Sequence, residues 1–229
     1  MTSEVESSFV SILEAVTGAY AEGAYIRQQD RNQKWLEVSF GLGRIAPGDH
    51  ILVSDIQVLG RLDCFLCALE KETVGLAKAT SDSSLFAFEL YTTLSTAWLS
   101  LCYERMRLIR QRIFQNSLFK ERWHNAGLED VFQLIERARV LELKREVPKG
   151  DDLHKRSQSL RFGIGDDADE TYQHGNTVLN LVRGLDEHDG SLVWNAISID
   201  VPHNCFVSRR GLSNELLDAL LQWKSLSAG

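Results

Sequence analysis

The chain of 229 residues predicts an α+β fold: an antiparallel sheet flanked by helices, with a long helix leading to a second, smaller α+β unit. Three observations predict it. Between residues 83 and 118 apolar side chains recur at three and four without a glycine or proline, the pattern of a buried helix face. Residues 51–69 hold two short apolar runs that read as adjoining strands. Asp189-Gly190 ends a polar stretch between two further strand-like runs and suits a hairpin loop.

Taken in order, residues 3–20 set Val5, Phe9, Ile12, Leu13 and Val16 at helical spacing behind a Ser3/Glu6 capping box, and predict a first amphipathic helix. Residues 24–40 read as a β-hairpin turning at Asp30-Arg31-Asn32, and residues 41–50 as loop. Strands are expected at 51–58 and 61–69, joined at Leu59-Gly60, with a further short one at 74–77. The helix at 83–118 exceeds the usual globular length, so its far half is expected to project or to pair with a partner helix. A second helix at 128–145 is carried by Leu128, Val131, Leu134, Ile135, Ala138 and Leu141. The Pro-, Gly- and charge-rich stretch 147–159 reads as a linker. Strand-like runs follow at 159–166, 177–185 and 191–202, then a closing helix at 213–225 capped by Ser213. Two domains result: 1–118, and 119–229 with a helix, a three-stranded antiparallel sheet and a C-terminal helix.

Charge and composition exclude several classes. A net charge of −7 argues against a phosphate backbone or an anionic membrane as the main target. No apolar run approaches the roughly 18 residues that span a bilayer. The acidic start, MTSEVESSF, lacks the pattern of a secretory leader, and neither terminus carries a lipidation signal. A cytoplasmic protein is expected, whose four cysteines are reduced thiols.

Cys64 and Cys67 stand at C-x-x-C spacing. In a strand they point to opposite faces, so they read as two small buried thiols rather than half of a metal or redox site; Asp63 beside them needs a partner or solvent. Gly41-x-Gly43 lacks the third glycine and the following helix of a dinucleotide loop. Asp166, Asp167, His188, Asp200 and His203 supply the oxygen and imidazole ligands of a candidate divalent-metal site, though at no recognised chelating spacing. Arg183 and His188 match the R-x4-H pattern that helical HEPN ribonucleases set against an RNA phosphate, but on a strand end and turn. Arg105, Arg107, Arg110 and Arg112 form a basic stripe late in the long helix, a candidate partner-binding face for an acidic protein partner or, less favoured, nucleic acid, beside the plainer reading of a solvated surface.

The order helix, hairpin, strand, strand, long helix over residues 1–115, and above all ILVSDIQVLGRLDCFLCALEKE followed by LFAFELYTTLSTAWLSLCYERMRL, resembles a GAF domain. The resemblance implies a sensory fold whose final helix pairs in dimers. It carries over no ligand contact and no cofactor, because only residues 41–50 stand where GAF domains wall their pocket. Two functions are therefore expected in competition. One is a regulatory, signalling or scaffold protein that works by protein partner binding, as a homodimer through the 83–118 helix. The other is a metal-dependent phosphoesterase or nuclease with its site in the C-terminal half.

Overall fold

A computed structural model describes residues 14–45, 50–76, 82–139, 182–196 and 205–227. The class is α+β, mostly helical, with a small three-stranded antiparallel sheet. The chain divides into two compact units, Met1–Tyr91 and Thr92–Gly229.

In the first unit every described element is helical. Helix α1 (residues 14–21) runs into a π-helical turn, Glu22–Arg27, followed by α2 (Gln29–Ile45) and α3 (His50–Leu76). The hairpin expected at 24–40 and the strands expected at 51–58, 61–69 and 74–76 are thus corrected to helix; residue 77 lies outside the described residues. The physical reason is visible in what α3 buries. Leu52, Ile56, Leu59, Asp63, Leu66 and Glu70 follow one another at four and three, the repeat of a helix–helix seam, and all are buried. Two of the six are acids, so an apolar pattern read along the sequence breaks there. Helix α2 hides its seam the same way, burying Asn32, Trp35, Ser39 and Leu42.

The two seams meet antiparallel. Trp35 lies so close against Gly60 that a Cβ there would collide with the indole Cγ, and a Cβ on Gly43 would touch Val53 at 3.0 Å. Gly60, expected as a strand joint, is instead the flat spot in α3 that lets the indole approach the backbone. Gly23 plays a similar part in the π-helical turn, where a Cβ would reach Phe65 at 3.0 Å and Ala68 at 3.3 Å.

Helix α4 (Asp82–Ile113, 32 residues) realises the long helix expected at 83–118, and the boundary between the units falls inside it. In the second unit it buries Ser95, Leu99, Cys102, Met106, Ile109 and Ile113, again at four and three. It stops at Ile113 because Asn116 turns the chain and caps a separate helix, α5 (Ser117–Asn125), accepting from the backbone N–H groups of Leu118 at 3.0 Å and Phe119 at 3.4 Å. The domain boundary expected at 118/119 lies within α5. Gly127, at φ 71°, links α5 to α6 (Leu128–Arg139), whose expected continuation to 145 lies outside the described residues.

The sheet runs β1 (Val182–Leu185), β2 (Leu192–Ala196) and β3 (Cys205–Ser208) in that order, all antiparallel. The hairpin expected around Asp189-Gly190 is present, with Gly190 at φ 72° and Leu185 paired to Leu192. The third strand is 205–208, which the sequence reading did not mark, while the run at 159–166 lies outside the described residues. Helix α7 (Arg209–Ser227) follows β3 directly. Its cap is Ser208, whose Oγ accepts from the Gly211 N–H at 2.9 Å; Ser213, the expected cap, is buried inside the helix. Helices α6 and α7 pack on each other and on the sheet, burying Leu192, Trp194 and Val207 with Leu216, Leu220 and Trp223.

Candidate interaction surface

The polar groups inside the first unit are committed to holding it together. Asp63 is fully buried; its Oδ2 accepts from Arg31 Nε at 2.5 Å and from Trp35 Nε1 at 2.8 Å. The partner that this acid required is therefore α2. Cys67 Sγ lies 3.8 Å from the other carboxylate oxygen, and Cys64 Sγ 4.0 Å from the Gln28 carbonyl. On a helix these cysteines sit one turn apart on the same side, which corrects the alternation expected of a strand. Both are buried and outside any disulfide. One turn further, buried Glu70 accepts from the Tyr91 hydroxyl at 3.1 Å. Burial pushes the Tyr20 hydroxyl pKa up, partly offset by the Arg61 guanidinium beside it.

The arginine stripe is largely spoken for. Arg110 makes a two-pronged ion pair with Glu129, Nε to Oε2 at 2.9 Å and Nη2 to Oε1 at 2.8 Å, and its guanidinium lies 4.5 Å from the Phe114 ring centre. Trp123 Nε1 donates to the same Glu129 at 3.0 Å. These hydrogen bonds, the arginine's first, hold the Glu129 carboxyl below its usual range and raise Arg110 above its own. Arg107 pairs with Glu104 on its own helix, and Glu104 also receives Arg139 from α6. Arg105 is half-buried and Arg112 exposed, and each has interactions within the protein. Of the four arginines that look like a docking stripe in sequence, Arg110 thus fastens α4 to α6 and Arg107 is paired along its own helix.

Of the candidate metal ligands, Asp166, Asp167, Asp200 and His203 lie outside the described residues. His188 sits exposed in the β1–β2 turn, where its backbone N–H donates to Asp186 Oδ1 at 2.8 Å. Asp189 accepts from the Ser191 N–H at 2.8 Å, so Asp186 and Asp189 are both engaged by the turn itself. Among the described residues no three histidine, cysteine or acidic side chains come together as a metal site. Arg183, the other half of the R-x4-H pattern, lies in β1.

Among its exposed charged and polar residues the first unit also leaves large apolar side chains outside. On α3, Ile51 is 75% exposed and Val58 42%, both off the buried seam, and Phe40 of α2 is 61% exposed. Tyr25 and Ile26 project from the π-helical turn and Val16 from α1. The first turns of α4 carry Phe86 at 70%, Phe88 at 37% and Leu90 at 59%. Among the described residues of the second unit the large exposed apolar side chains are fewer: Leu118, Phe206 and Leu226. Single exposed apolar residues are ordinary, whereas a contiguous patch of large ones marks an interaction surface. The sequence analysis placed Phe40, Ile51 and Val58 in strands and named none of them as surface residues. The signal was present: with the seam of α3 at 52, 56 and 59, positions 51 and 58 fall outside it.

No family model, curated protein or solved structure matches the chain. Its reading therefore rests on its own residues. No helix among the described residues is long and apolar enough to cross a membrane.

Proposed function

We propose that the chain is a cytoplasmic regulatory or scaffold protein that acts by partner binding and dimerisation, with the first unit as its binding module. The observation that carries this reading is the set of large apolar side chains exposed on α1 to α3 and on the first turns of α4. Polar chemistry inside that unit is consumed by its own helix contacts, Asp63 with Arg31 and Trp35, Glu70 with Tyr91. The dimer contact expected along 83–118 narrows accordingly. From Tyr91 onward the apolar stripe of α4 is buried within the fold, so the proposed contact falls to Phe86 and Leu90, one turn apart on the same side of the helix.

The GAF likeness does not enter this reading, because the strand pair that carried it is the single helix α3. The metal-dependent alternative is left aside as well: no observation among the described residues favours it, and its one described ligand, His188, stands in a turn where Asp186 and Asp189 serve backbone N–H groups. Sedimentation of the full chain at micromolar concentration tests the proposal. The expected mass is that of a homodimer, shifting towards monomer in the double variant Phe86→Ser, Leu90→Ser; a strict monomer, or a dimer indifferent to that variant, overturns the assignment.

A further inference from the structure

We draw no further inference here: the strongest candidate, the row of buried polar atoms on one side of α4 formed by Thr92 Oγ1, Ser95 Oγ and Trp98 Nε1, none of which meets a hydrogen-bond partner, carries nothing because rotation about one side-chain bond lets each hydroxyl donate to a carbonyl of its own helix, as Ser100 does to Thr96 at 2.9 Å, and a lone indole N–H defines no ligand.

Discussion

Asp63 and Glu129 do comparable work in different surroundings. Asp63 is fully buried, and Asp63→Ala removes the carboxylate that accepts from Arg31 and from the Trp35 N–H. Breaking a buried pair from one side costs about 3–5 kcal/mol, and Arg31 retains some solvent, so a loss near the lower end, about 3 kcal/mol, is expected from urea unfolding. Asp63→Asn should cost less, because the amide oxygen still accepts from Trp35. Glu129 is only partly buried, but its carboxyl is held below the usual range by Arg110 and Trp123. A carboxylate depressed in the folded state stabilises fully above its unfolded pKa, about 4.3, and that stabilisation drains away as pH falls through the lower folded value. Thermal unfolding followed from pH 6 down to pH 3 should therefore show the parent chain losing its advantage over Glu129→Gln; a gap between the two that stays constant with pH would contradict the linkage.

Among the elements, α2 and α3 depend on one close approach. Gly60→Ala gains roughly 1 kcal/mol in helix propensity but drives a methyl group into Trp35 Cγ and Cβ, atoms near the root of a buried side chain that cannot swing away. Overpacking of that kind costs about 1–3 kcal/mol, so a net loss is expected, and a more stable Gly60→Ala protein would mean that the two helices sit further apart. The break between α4 and α5 depends on a cap. Asn116→Ala removes the acceptor for two N–H groups and should cost about 1 kcal/mol in unfolding experiments, whereas Asn116→Asp should be nearly neutral. These elements also differ in how openly the sequence declares them. Helix α4 was legible because large apolar residues such as Leu99, Met106, Ile109 and Ile113 fill most of its buried positions. Helices α2 and α3 were not, because Asn32, Ser39, Asp63 and Glu70 occupy buried positions and the apolar residues left between them mimic strands. The β1–β2 hairpin was legible from Asp189-Gly190, since a backbone at φ 72° favours glycine whatever the rest of the chain does. Strand β3, as short as β1, was not marked because no longer apolar run in the sequence extends it as 177–185 extends β1.

For the whole molecule the decisive property is where apolar surface remains. Large exposed side chains gathered on the first unit make concentration-dependent association the expected behaviour. A single substitution far from the assigned contact, such as Leu226→Ser on α7, should leave the sedimentation profile unchanged, while Phe86→Ser with Leu90→Ser should alter it. Of the candidate site residues the sequence named, Arg110 proved to hold α4 to α6 and His188 to sit in a solvent-facing turn, because residue type and spacing show which groups carry charge but not which partners reach them. By itself the sequence determined the α+β class, the long helix, the polar hairpin loop and the absence of any apolar run long enough to cross a membrane, all of which follow from local periodicity and turn chemistry. Only the tertiary structure decided that residues 50–76 form one helix and that its acids face inward. A buried carboxylate is tolerated once a guanidinium and an indole from 32 and 28 residues away are delivered to it, and no local pattern records that delivery.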